Sequence, residues 1–334
     1  MKNLLLTGCF VCVQILSAQI SDFKTINFTR ADNIAQLNKG VKLDNLPVLA
    51  YNLTHKLNTD AEKFRAIYSW VCNNIKGDLN QDQKVSKYRK KYKNDSLTFK
   101  AWNDQYKTIA FKRLFKRKKT MCSGYAYLIN QLCFLANIES KIINGYGRSA
   151  NTNTDTLQIA NHAWNAVKLN NKWYLCDATW SSGYFLNDIF INDYNLGYFL
   201  TDPKLFRQNH YPLNTQWLLD NNSNNNAFVA SPIVYGATFK HQILTTSPSK
   251  LYTNVKKNNA ITFSFETFKP IKKEQISLVY FSGGNLKSLK IFDLNIQGQS
   301  IAFKHLFKTE GWHDVHLKIN NDIVATYTIQ VMTE

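Results

Sequence analysis

The sequence predicts an α+β fold through about residue 222, with helices packed on an antiparallel sheet, followed by a β-sandwich over 228–334. Three observations carry this. Apolar residues recur at helical spacing at Phe64, Ile67, Tyr68, Val71 and Ile75, and again at Ala126, Ile129, Leu132, Cys133 and Ala136. Two apolar runs flank Asn170-Asn171, a pair suited to a two-residue hairpin turn. Beyond residue 228 the chain breaks into short alternating segments, punctuated by Ser282-Gly283-Gly284 and Asn320-Asn321-Asp322.

Residues 1–18 read as an export signal: Lys2, an apolar stretch to Leu16, then a small-residue cleavage site before Gln19. The run is too short to span a membrane, and no later segment reaches that length. Leu6-Thr7-Gly8-Cys9 resembles a lipoprotein box, but too few residues precede it for lipidation at Cys9 to be expected. The mature chain is expected to be secreted or periplasmic. Residues 19–45 form an irregular lead-in to a domain over 46–222. A helix is expected over 46–57, with Pro47 tolerated in its first turn. Thr59 and Glu62 have capping-box spacing, which starts a core-facing helix that ends near Gly77. A basic insert over 78–119 follows, anchored by Trp102, Tyr106, Phe111, Leu114 and Phe115. The next helix starts at Cys122. Strands are expected over 139–143, 162–169 and 172–178, with polar loop at 149–160. An Asn-rich stretch suggests a linker near 220–230. The final region, of immunoglobulin-like character, is expected to hold strands over 261–265, 276–280, 289–294, 315–319 and 323–331.

Of 334 residues, 44% are hydrophobic and 13% aromatic, which supports a filled core and excludes general disorder. The net charge is +18. Residues 84–119 alone hold 14 Lys/Arg against Asp95 and Asp104, so this stretch carries most of the excess. It could bind an envelope polyanion or stand as a solvated basic surface. It matches no nucleic-acid motif, and an exported protein has little occasion to meet one. Loss of the signal leaves Cys72, Cys122, Cys133 and Cys176. If Cys122 is a nucleophile it stays reduced, and the other three read as buried thiols rather than a bridge.

Cys122, His162 and Asp177 carry the chemistry. A thiol, an imidazole and a carboxylate are the nucleophile, base and orienter of an acyl-transfer site. Cys122 opens a helix, with Gly124 in the first turn. Unpaired N–H groups and the positive end of the helix dipole lie there and favour thiolate over thiol. Cys133 sits mid-helix without that advantage. If Asn170-Asn171 is the hairpin turn, facing residues sum to 341, and His162 and Asp177 fall on one face as diagonal neighbours. A slip of one residue would separate them. The remaining histidines (His55, His210, His241, His305, His313, His316) lack such a partner in this reading. No metal-ligand spacing emerges from Cys122, Cys176 and His162, and no cofactor is expected.

The segments Glu62-Lys63-Phe64-Arg65-Ala66-Ile67-Tyr68-Ser69-Trp70-Val71, Met121-Cys122-Ser123-Gly124-Tyr125-Ala126, Asn161-His162-Ala163-Trp164-Asn165 and Asp177-Ala178-Thr179-Trp180 resemble the transglutaminase-like superfamily, whose core is papain-like. Tyr198-Phe199-Leu200-Thr201-Asp202-Pro203, His210-Tyr211-Pro212 and Trp217-Leu218-Leu219 are similar to its kyphoscoliosis-peptidase branch. The resemblance covers roughly residues 46–220. It implies a helix-borne nucleophile Cys122, a base His162 and an orienter Asp177 acting on a protein or peptide. It does not choose between hydrolysis and amide cross-linking, and it admits members that kept the fold as silent scaffolds. Nor does it assign a second oxyanion donor; Gln105 and Trp102 are weak candidates.

Overall fold

The computed structural model describes residues 20–152, 156–220 and 224–333. The expected signal at 1–18, with Cys9, lies outside them. Among the described residues no helix is long and apolar enough to cross a membrane.

The lead-in is not irregular. It contains helix α1 (Thr29–Leu37), which buries Ala31, Ile34 and Ala35. Its start has no side-chain cap, so nothing local announces it. Tertiary contacts hold it instead: Asp32 takes a bidentate pair from Arg65 at 2.7 and 2.9 Å and a hydroxyl from Ser69 at 2.7 Å. Helix α2 (Leu46–Thr54) starts at Asn45, whose side chain accepts from Val48 N–H, with Pro47 in the first turn. Helix α3 (Asp60–Asn74) carries the Thr59–Glu62 capping box, with both reciprocal bonds formed. It stops at Asn74, because Ile75 turns extended and leads into β1 (Lys76–Gly77).

β1 pairs in parallel with β2 (Lys119–Thr120). The basic insert therefore leaves and re-enters the fold at one point. Between the two strands it is a pair of helices, α4 (Leu79–Lys91) and α5 (Ser96–Arg117), capped by Asp78 and Asp95. Tyr88, Trp102 and Tyr106 stack in series, with centroids 3.9 and 5.2 Å apart, and join the two helices. Phe111 stacks on Tyr127 of α6 (Cys122–Leu135) at 4.5 Å, which fixes the insert to the helix that follows it.

Helix α6 lies on a four-stranded antiparallel sheet ordered β5-β4-β3-β8: β3 (Ser140–Gly147), β4 (His162–Leu169), β5 (Lys172–Cys176) and β8 (His210–Pro212). Asn165 ties β4 to α6 through Ala126 O at 3.0 Å. The hairpin register is the expected one: Leu169 pairs with Lys172 and Asn165 with Cys176. Asn170 and Asn171 both have positive φ, 49° and 64°, as the tight turn requires. Strand β5 ends earlier than expected because Asp177 caps α7 (Ala178–Ser182). A small hairpin, β6 (Gly183–Leu186) and β7 (Ile189–Asn192), and helix α8 (Pro203–Phe206) lead back to β8.

Gly124, in the first turn of α6, is fixed by close approach. A Cβ there would meet Thr120 Oγ1 at 1.9 Å. Gly124→Ala is expected to lower stability by about 1–3 kcal/mol, read as a lower urea midpoint. An unchanged midpoint would mean that the Thr120 side chain yields freely.

The expected linker contains a short helix, α9 (Asn225–Ala230). Beyond it come β9 (Ile233–Val234), α10 (Gly236–His241) and two sheets. One has four strands, ordered β10 (Ile243–Ser247), β12 (Ala260–Thr267), β16 (Ser300–Leu306), β15 (Phe292–Gln297). The other runs β11 (Tyr252–Lys256), β18 (Asp322–Met332), β17 (Gly311–Ile319), β13 (Ile276–Ser282), β14 (Asn285–Leu289), with β9 paired to β18. Phe263, Phe265 and Phe303 from the first sheet share one apolar cluster with Leu278, Leu317 and Tyr327 from the second. The single strand expected over 289–294 is split, since β14 ends at Leu289 and β15 begins at Phe292 in the other sheet. The same cluster takes in Trp164, Tyr198 and Phe206, so this core joins the two sheets to the β4 strand that carries His162, while the buried face of α6 belongs to a second cluster.

Candidate active site

Three elements converge. Cys122 is the first residue of α6, after Met121, which supplies no side-chain cap. Gly124 and Tyr125 N–H turn back to Met121 O at 2.9 and 3.2 Å, so the N–H groups of Cys122 and Ser123 are the ones placed to face an anion. His162 opens β4, where it pairs with Gly145 of β3. Asp177 follows β5 directly. His162 Nε2 lies 2.8 Å from Asp177 Oδ2, which leaves Nδ1 as the ring nitrogen for the thiol. His162 and Cys122 are near enough for each to shift the other's titration, with Ala163 N–H contributing at the sulfur.

The carboxylate has two jobs, one for each oxygen. Oδ1 caps α7, accepting from Thr179 N–H at 2.8 Å and Trp180 N–H at 3.3 Å. Oδ2 meets His162 at 2.8 Å and His210 at 3.2 Å. Asp177 is wholly buried. Burial alone would raise its pKa, yet the charges and hydrogen bonds of His162 and His210 hold it well below the usual carboxylate range.

The electrostatics separate the titrating groups. Burial pushes His162 down, but Asp177 and Cys122 outweigh it and raise the imidazole to about 10. Burial pushes the Cys122 thiol up; the His162 hydrogen bond and charge, then the charge of Arg89, bring it below the ordinary thiol value. Both shifts run in the direction of a thiolate–imidazolium pair. The other cysteines behave oppositely. Burial raises Cys72 and Cys176 well above normal and Cys133 to about 12. All four are free thiols, and only Cys122 is partly accessible.

His210 corrects the sequence reading, in which it had no partner. It is buried on β8, with Nε2 on Asp177 and the Asn209 carboxamide 2.7 Å from Nδ1. Phe206 stacks on it at 3.8 Å, and Trp180 lies 4.5 Å away. His241 also has an acid, Asp322 at 2.7 Å, on the surface. Trp180 covers the other ring, stacked on His162 at 4.5 Å. Gly147 lets β3 pass under that pair, since a Cβ would sit 3.0 Å from Trp180 and 3.1 Å from His162. Of the oxyanion candidates, Gln105 is exposed on α5, and Trp102 is stacked between Tyr88 and Tyr106.

The donor atoms of His162, Asp177 and His210 lie within 4.8 Å of one another, so this cluster could hold a metal ion. Each ring is already at hydrogen-bond distance from one carboxylate oxygen, an arrangement that protons satisfy. A separate cavity of about 1110 Å³ is lined in part by Trp180, Tyr198, Asn209 and Tyr235; neither Cys122 nor His162 lines it.

The family model of the transglutaminase-like superfamily matches residues 47–178. Kyphoscoliosis peptidase of Homo sapiens is 33% identical over 178 residues, covering 52% of this chain and 24% of that protein. Hillarin of Drosophila melanogaster is 24% identical over 186 residues, covering 51% of this chain and 20% of that protein. The chain thus spans about a quarter or less of the length of these curated relatives. Among solved structures, the Lin-41 filamin domain aligns with a TM-score of 0.19 and 8% identity, over 26% of this chain and 89% of that one. Residues 47–178, which hold Cys122, His162 and Asp177, match the transglutaminase-like superfamily and lie in the part of the chain that is similar to kyphoscoliosis peptidase.

Proposed function

We propose that the protein is an exported cysteine enzyme that transfers the acyl group of an amide or peptide through a Cys122–His162–Asp177 triad. The observation that carries this reading is the His162–Asp177 link at 2.8 Å on a ring whose charge and that of Cys122 act on each other. Cys122 thiolate attacks the carbonyl carbon. The Cys122 and Ser123 N–H groups at the start of α6 face the developing oxyanion. The imidazolium of His162 gives its proton to the departing amine. Neutral His162 then takes a proton from water, which opens the thioester and releases the acid. Asp177 holds the imidazole orientation throughout. Water is the proposed acceptor, in keeping with the relative named a peptidase. Export rests on the signal-like residues 1–18.

Alkylation of the native protein tests this reading. Near neutral pH, iodoacetamide is expected to modify Cys122 rapidly while Cys72, Cys133 and Cys176 stay unmodified, as peptide mapping would show. Cys122→Ala should abolish labelling and turnover, and Cys133→Ala should not. Equal modification of all four thiols, or of none, would refute an activated nucleophile.

A further inference from the structure

We propose that His210 is a positioning residue of the acyl-transfer site: its Nε2–H donates to Asp177 Oδ2 and holds that oxygen on the His162 ring. This role deepens the cysteine acyl-transfer reading and rests on it.

Strand β3 brings the two rings together. His162 pairs with Gly145 and His210 with Gly147. The two glycines are two residues apart and face one way, and directly paired residues of neighbouring strands share a face. Both imidazoles therefore project from the same side of the sheet, from strands that flank β3, with ring centroids 5.3 Å apart. Asp177 Oδ2 meets both, His162 at 2.8 Å and His210 at 3.2 Å.

Without His210 the carboxylate would be anchored at one end. Oδ1 is fixed by two backbone N–H groups of α7. Oδ2 has His162 as its other partner, and during acyl transfer that ring gives up and takes back a proton. An orienter held there only by the ring it orients fixes nothing. His210 supplies a rigid reference instead. Its side chain is fully enclosed, with Phe206 stacked at 3.8 Å, Trp180 at 4.5 Å and Trp164 edge-on at 5.0 Å.

The groups around Nδ1 place the ring proton. Asn209 Oδ1 stands 2.7 Å from Nδ1, and the Asn209 amino group donates to the Tyr198 hydroxyl at 3.3 Å. In that orientation a neutral ring has one proton for two acceptors and turns a lone pair on one of them. A second proton would put two imidazolium rings on one buried carboxylate. Turning the carboxamide over removes the conflict. Its amino group then donates to Nδ1, its oxygen accepts from Tyr198, and the single ring proton sits on Nε2, facing Asp177. Burial favours this neutral ring.

Ring nitrogen NMR shifts of the resting wild-type protein, labelled at histidine, test the hydrogen bond without a substrate. His210 Nε2 is expected to carry a proton near neutral pH, and a bare Nε2 overturns the proposal whatever the variants do. Iodoacetamide tests the positioning. His210→Phe keeps the stack on Phe206 and removes the donor, so the carboxylate loses its reference and the Cys122 thiolate loses a well-placed imidazolium. The rate at Cys122 near neutral pH should fall about tenfold, with the midpoint of its pH profile about one unit more alkaline. His210→Gln places an amide N–H where Nε2 stood and should restore most of both. A Phe variant with the wild-type midpoint, or a Gln variant as impaired as Phe, overturns the proposal, since the ring would then only fill the core. Should the Phe variant not fold, the wild-type Nε2 and the Gln variant still decide. A wild-type Cys122 that reacts no faster than a free-cysteine peptide would instead sink the underlying enzyme reading, with the Nε2 proton unaffected.

Discussion

Asp177→Asn is expected to lower amide turnover by about three to four orders of magnitude, measured with a peptide anilide, while the fold persists. The expectation follows from counting acceptors. Asp177 receives four hydrogen bonds, two from the start of α7 and two from imidazole rings. Asparagine has one oxygen and one amino group. Left on α7, the oxygen preserves the cap and turns the amino group toward His162 Nε2. That nitrogen must then accept, and the ring proton moves to Nδ1, facing the sulfur. The base is in the wrong tautomer, and the imidazolium has lost its counter-charge. The Cys122 thiol should rise with it, visible as an alkaline shift in the iodoacetamide rate profile. Asp177→Ala adds a structural loss of about 3–5 kcal/mol, because α7 loses its cap and both rings lose an acceptor in the interior. An Asn variant within tenfold of the parent would show that the carboxylate only caps α7.

How much of this was legible depends on how far apart in sequence the partners lie. The adjacency of His162 and Asp177 could be read because a two-residue turn fixes a register, and Asn170-Asn171 tolerates the required positive φ. The Thr59–Glu62 box and the start of α6 at Cys122 were local signals of the same kind. His210 could not be read. It reaches Asp177 from β8, which joins the sheet only through β3, and no local pattern ties residues 33 apart. Helix α1 was missed because its stability comes from Asp32 meeting Arg65 and Ser69, and not from a cap. The division of 289–294 between two sheets has the same character, since strand propensity does not name the partner strand.

Lowering the pH from 6.5 to 4 is expected to remove up to about 3 kcal/mol of stability through His210 alone. Burial drives its pKa from 6.5 to about 4; the hydrogen bond and charge of Asp177 oppose this, and the charge of His162 adds to the depression. Every other group packed on the ring, from Trp164, Trp180, Tyr198, Phe206 and Asn209, is uncharged at these pH values. Between 4 and 6.5 the unfolded chain binds a proton that the folded chain refuses, so stability falls as pH falls. The depressed carboxylate of Asp177 adds a further loss only below its unfolded value of 3.8. His162 acts in the opposite direction. Its pKa is raised to about 10, so its contribution is complete below 6.5 and is lost as pH rises from there toward 10. Together the two histidines give the stability curve an acid arm and an alkaline arm from one shared carboxylate. Urea midpoints taken across pH 4–9 would show both. His210→Phe should lower the midpoint near neutrality, by leaving Asp177 one donor short, and flatten the acid arm. A wild-type midpoint that stays level between 6.5 and 4 would mean that His210 accepts a proton inside the fold, and that Asp177 holds two imidazolium rings rather than one.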